Sequence, residues 1–217
     1  MRQIYFKAAM VVILFYVSTA CNTKTNDEKS VKTMEDIVRD VHSFSRPNEA
    51  VVRHMNLDLY VDFVQKQISG TAELEFDKMP NAQKIVLDTK NLQIESVTYA
   101  NGENATYELL KEDLVLGSPL EIKINDFTNK IIIKYTTGRG AEALQWLAPS
   151  QTADKTDPFL FTQSQAILAR SWIPLQDSPG IRFTYAARVT VPKGLMALMS
   201  AANPPQASDD GIYHFKM

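Results

Sequence analysis

A single cysteine, Cys21, is all that the 217 residues offer, and one thiol cannot close an internal disulfide. The fold must rest on core burial, and an apolar fraction of 45% against 22% charged residues is enough for that. Histidine is nearly as scarce: His42, His54 and His214 are the three, and none is followed by Glu. The chain therefore has no His-Glu-x-x-His, which places two imidazoles one helical turn apart around zinc with a general base between them. It also has no Gly-x-Ser-x-Gly elbow and no phosphate loop. Carboxylates are scattered, so none of them reads as a catalytic pair. With a net charge of −2 and no basic stripe interleaved with aromatics, nucleic acid is excluded as a partner. The apolar run from Ala8 to Val17 is shorter than the ~20 residues a spanning helix needs.

That run has the length of a secretory core, with Arg2 and Lys7 before it and Ser18, Thr19 and Ala20 after it. The arrangement, ending at Cys21, resembles a bacterial lipoprotein signal, although Ser18 stands where Leu is more usual. On this reading residues 1–20 are a signal peptide and Cys21 is lipidated. The mature protein is then exported and held by its lipid in the cell envelope, on the periplasmic side or the cell surface. A plain cleavage site that happens to precede a cysteine is the other reading. Residues 21–44 read as a polar tether and a short amphipathic helix. Met34, Ile37, Val38 and Val41 form its stripe behind a Thr33/Asp36 capping box, and it closes near Ser43, before Pro47.

From residue 45 to 217 the chain reads as mostly β, an antiparallel sheet or sandwich. Residues 53–63 alternate, with Met55, Leu57, Leu59, Val61 and Phe63 on one face. Ile68, Gly70, Ala72, Leu74 and Phe76 alternate on the way back, which predicts a hairpin. Further strands are expected at Ile85–Leu87, around Leu92–Val97 before an Asn101-Gly102 turn, and at Leu114–Leu116, Leu120–Ile124 and Lys130–Tyr135. Arg182–Val191, Leu195–Ser200 and Ile212–Met217 complete the set. The last of these stops inside an apparent strand, which suggests a domain continuing past Met217.

One segment, 143–179, departs from generic sheet: it holds both Trp residues, Trp146 and Trp172, and the pair Gln163 and Gln165 around Ser164. In an extended backbone the two Gln side chains share one side. Neutral amides donate and accept together, which suits a peptide backbone or a free amino terminus. They equally suit the satisfaction of buried backbone groups.

Leu144-Gln145-Trp146-Leu147, Phe161-Thr162-Gln163-Ser164-Gln165-Ala166 and Ile173-Pro174-Leu175-Gln176-Asp177-Ser178-Pro179 resemble the N-terminal domain of the leukotriene A4 hydrolase and aminopeptidase N family of zinc aminopeptidases. Ser69-Gly70-Thr71-Ala72, Leu87-Asp88-Thr89-Lys90 and Ala197-Leu198-Met199-Ser200-Ala201 extend the likeness. The resemblance implies a saddle of β-sheet that packs on a helical domain carrying the zinc. It implies that Gln165 helps bind the free amino end of a peptide substrate, where many relatives have Glu, and that Gln163 is a second contact. Zinc would belong to the full-length parent and not to this chain, which by itself would carry no catalytic residue and no peptidase activity. A stand-alone β lipoprotein that binds peptides or a protein partner is the alternative. Among the other matched residues, Asp177 reads as a turn anchor with Arg170 as its partner, and the two Trp residues read as packing.

Overall fold

The computed structural model describes residues 40–217. The expected signal peptide, Cys21 and most of the expected helix lie outside the described residues. Val41, last of the expected stripe, stands in a turn and is 79% exposed.

The long alternating runs form the two longest strands, β1 (Ala50–Asp62) and β2 (Gln67–Lys78), paired as an antiparallel hairpin. β3 (Lys84–Thr89), β4 (Leu92–Tyr99), β5 (Tyr107–Leu109), β6 (Ser118–Lys123) and β7 (Lys130–Thr137) follow. β8 (Leu144–Leu147), β9 (Phe159–Thr162), β10 (Thr184–Thr190) and β11 (Ile212–Lys216) complete the order. They make a six-stranded sheet β11-β10-β1-β2-β7-β4, a three-stranded sheet β3-β6-β5 and the hairpin β8-β9.

Register shows why alternation built this sheet. Phe215, Ala187, Leu57, Ala72, Ile133 and Val97 face one another in turn across all six strands, and all are buried. The adjacent row is His214, Arg188, Asp58, Thr71, Lys134 and Ser96. A period of two thus yields one apolar and one polar face. Ile85, Leu87, Leu120 and Ile122 of the small sheet join the same core.

Three expectations are corrected. The large sheet is mixed, because β1 pairs with β10 in parallel. Leu114–Leu116 is an exposed hairpin tip instead of a strand. There Asp113 Oδ1 accepts the Val115 and Leu116 N–H groups, each at 2.8 Å, and Gly117 closes the turn at φ 78°. Leu195–Ser200 alternates but joins no ladder. Tyrosine hydroxyls hold it instead: Tyr213 donates to the Leu195 carbonyl at 2.8 Å and Tyr185 to the Ser200 carbonyl at 2.9 Å.

Candidate functional site

The Gln pair begins where the β8-β9 hairpin ends. The Gln163 N–H donates to the Ala143 carbonyl at 2.9 Å, one rung beyond the Leu144–Thr162 pair. Past that rung the backbone leaves extended geometry. The Gln163 side chain folds back so that its Oε1 accepts the Gln165 N–H at 3.2 Å. The Gln165–Ala166 peptide is cis. Leu168 N–H then donates to the Ser164 carbonyl at 2.9 Å, and the chain enters a 3-10 helix at Ala169–Ser171. The two amides therefore do not project in parallel from an extended strand. Gln163 has committed its oxygen to the loop and keeps its NH2 free among the described residues. Gln165 is exposed, and neither polar atom of its amide has a partner among the described residues.

Behind the loop lies a buried polar network. Arg170 and Asp88 are both 0% exposed, which for charged residues requires full pairing. Arg170 Nε donates to Asp177 Oδ2 at 3.1 Å, as the sequence suggested, and its backbone N–H reaches the same oxygen at 3.2 Å. Its Nη1 donates to the Leu116 carbonyl at 2.9 Å, and Nη2 donates to the His42 carbonyl at 2.8 Å and to the Asp177 carbonyl at 3.0 Å. Asp88 accepts from Ser43 Oγ at 2.5 Å, Phe44 N–H at 2.7 Å and Asp177 N–H at 2.9 Å. Burial raises the Asp88 carboxyl above its ordinary range; these donors and the Arg170 charge pull the other way. Gln176, also buried, accepts the Val52 N–H at 2.9 Å and donates to the Ala50 carbonyl at 2.9 Å. The Ile173–Pro179 stretch is thus a structural strap. Sequence reasoning passed over Asp88 and Gln176 as functional supports, although a carboxylate ending the apolar run Ile85-Val86-Leu87 was a signal.

In front of the loop is an open hollow of about 1220 Å³. Met55, Leu57, Leu59 and Val61 of β1, each no more than 5% exposed, form its floor. Gln163, Gln165, Trp172 and Tyr185 line it, with Leu195–Ser200 opposite. Trp172 donates Nε1–H to Ser164 Oγ at 3.0 Å, and Trp146 meets Phe63 edge-on at 5.3 Å, so both indoles pack, and Trp172 also braces the loop. Burial pushes the Tyr185 hydroxyl above its ordinary value. The hollow combines an apolar floor with polar groups around it, the two amides, Asp154 and Asp157 among them.

The peptidase M1 N-terminal domain family matches residues 51–216. The chain belongs to that family. Leukotriene A-4 hydrolase of Xenopus laevis is 39% identical over 188 residues, covering 82% of this chain and 31% of that protein. Leucine aminopeptidase 2 of Coccidioides immitis is 32% identical over 190 residues, 82% of this chain and 30% of its own length. The chain spans about a third of the length of these curated relatives. The structure of yeast LTA4 hydrolase in complex with bestatin aligns with a TM-score of 0.74 at 28% identity, over 82% of this chain and 28% of that one. An M1 zinc metallopeptidase from Deinococcus radiodurans shares the fold, with a TM-score of 0.59 at 18% identity over 77% of this chain and 38% of that one. The M1 assignment agrees with the resemblance carried by the 144–201 segments.

The M1 family implies zinc, and the donor set of this domain does not fit it. His54 is engaged by Thr184 at 2.7 Å and Asn56 at 3.1 Å, while His42 sits 3.3 Å from Asp40. His214 points from the polar face of β11. Among the described residues no three His, Cys, Asp or Glu side chains converge. Cys21 lies outside the described residues.

Proposed function

We propose that this chain is the substrate-lining N-terminal part of a zinc metalloaminopeptidase, a hydrolase that removes N-terminal residues from peptides. The single observation that carries the reading is the Gln163–Gln165 turn, which presents a solvent-exposed amide with no protein partner among the described residues beside a largely apolar hollow. Gln165 Oε1 accepts from the ammonium of the peptide, giving a hydrogen bond without a full counter-charge. Gln163, its oxygen engaged, offers N–H donors to an acceptor such as the first carbonyl. The hollow takes apolar parts of the ligand. On this reading zinc and the general base belong to a separate catalytic domain; the relatives are named a leucine aminopeptidase and an M1 zinc metallopeptidase. Membership of this family favours an enzyme part over a stand-alone binding lipoprotein.

On an enzyme carrying both domains, Gln165→Ala lowers kcat/KM for aminoacyl substrates about 10- to 100-fold, the loss of one hydrogen bond to a charged group. Zinc content stays unchanged. Full activity in that variant removes Gln165 from the site. The 217-residue chain alone releases no amino acid from such substrates, and release would sink the reading.

We further infer that Cys21 carries lipid and holds the protein in the cell envelope, supported by Arg2, Lys7, the Ala8–Val17 run and the small residues before Cys21. Palmitate labels the wild type and not Cys21→Ser; equal labelling excludes the anchor.

A further inference from the structure

We propose that Trp172 is a positioning residue for the amine-binding amides, acting through its hydrogen bond to Ser164; this rests on the reading of Gln163 and Gln165 just given. Ser164 is the one residue between the two amides, and its side chain and backbone are both engaged. Its Oγ accepts the indole N–H of Trp172 at 3.0 Å, and its carbonyl accepts the Leu168 N–H at 2.9 Å. The Gln163 amide is tied across it to the Gln165 backbone by the 3.2 Å bond from Gln165 N–H to Gln163 Oε1. A shift of Ser164 therefore moves both amides together.

The other end of the brace is fixed. Trp172 follows the Ala169–Ser171 helix, caps it with an N–H to the Ala169 carbonyl at 3.0 Å, and packs its ring on the core. Ser171 beside it accepts the Ala143 N–H at 3.0 Å and donates to the Leu168 carbonyl at 2.7 Å. Arg170 anchors the same helix in the buried network. The indole N–H is thus the side-chain tie from this fixed base to the loop segment that holds the amides. A tie of this kind acts on ligand and transition state alike, since the amine keeps its charge throughout peptide hydrolysis. Its loss raises KM and leaves kcat in place.

The test uses the enzyme carrying both domains. Trp172→Phe keeps an aromatic ring and removes the N–H; Ser164→Ala removes the acceptor; Ser164→Thr keeps a hydroxyl. Each of the first two raises KM for aminoacyl substrates about three- to tenfold, the size of one neutral hydrogen bond. Their kcat stays within about twofold of wild type. The double variant is no worse than either single one, and Ser164→Thr restores KM. A merely structural role reduces the folded fraction, which lowers kcat at unchanged KM, and that pattern overturns the proposal. Additive KM effects in the double variant overturn it too, because the two groups then act apart. Gln165→Ala separates the two readings. If it impairs the enzyme while Trp172→Phe and Ser164→Ala do not, the brace is refuted and the amine site stands. If Gln165→Ala is silent, the amine site itself is refuted, and the brace with it.

Discussion

Replacing Arg170 by Met should cost the domain about 3–5 kcal/mol, the range found when one partner of a buried charge pair is removed. The structure allows the figure to be assembled. Met keeps most of the apolar stem, so the loss falls on the guanidinium. The carbonyls of Leu116, His42 and Asp177 lose their donors, at about 1 kcal/mol each. Asp177 loses its 3.1 Å partner, and Asp88, buried completely, loses the cation 3.8 Å away. Arg170→Lys should recover less than half of the loss, because one ammonium cannot reach three elements at once. Urea unfolding followed by the fluorescence of Trp146 and Trp172 measures the change as a shift in midpoint at constant slope. The deficit also carries a pH signature. Burial raises the Asp88 carboxyl above 3.8, so the folded chain binds that proton more tightly than the unfolded one. Stability from this group therefore falls as pH rises through the raised value. Without the Arg170 charge the value rises further, so the Met variant is penalised more at about pH 7 than at about pH 4.5. A loss below about 1 kcal/mol, or a deficit that grows on acidification, refutes the network as the support of the loop.

Gly70→Ala should cost about 2 kcal/mol or more, because a Cβ there would stand 1.9 Å from the Asp58 carbonyl oxygen on the neighbouring strand. Thermal unfolding checks it, and a neutral result contradicts the close strand approach. Tyr135→Phe should be neutral or stabilising by up to about 1 kcal/mol, since its buried hydroxyl has no hydrogen-bond partner among the described residues. A loss above about 1 kcal/mol in the same assay would mean that the hydroxyl is satisfied. Gln165→Ala should change stability by no more than about 0.5 kcal/mol, because the side chain is exposed and unbonded. A larger loss in urea would show that the amide serves the fold.

The hairpin of β1 and β2 was legible because five apolar side chains alternate without a slip, and a single buried face is what such a pattern encodes. Direction was not legible. Period two is the same in parallel and antiparallel strands, so nothing in Arg182–Val191 announced that β10 runs alongside β1. Apolar content also misled at Leu114–Leu116, where Asp113 and Gly117 form a turn and expose Leu114 at 92%. For the candidate site, the paired Gln residues and the unusual Trp content marked a segment that lines the hollow. The fold-back of Gln163 was invisible, since it depends on a local turn that breaks the extended spacing. Asp88 and Gln176 were hidden for another reason: partners far apart in sequence leave no local period.

The loop that carries Gln165 has little regular structure of its own beyond one hairpin rung at Gln163. What fixes it is a set of directional bonds to separate elements. Asp88 N–H and Lys90 N–H, on β3 and just past it, donate to the Leu175 and Arg170 carbonyls at 2.7 and 2.8 Å. Gln176 spans to β1, and Arg170 reaches both the His42 turn and the Leu116 tip. An apolar contact tolerates sliding by a fraction of an ångström, whereas sliding this strap lengthens many hydrogen bonds together. The same geometry leaves the Gln165 amide without a partner among the described residues. A held backbone beneath an exposed amide lowers the ordering cost of binding, because the loop is positioned on folding and not when a ligand arrives. The strap is for that reason the part of the domain where a change remote from the hollow should still be felt at Gln165.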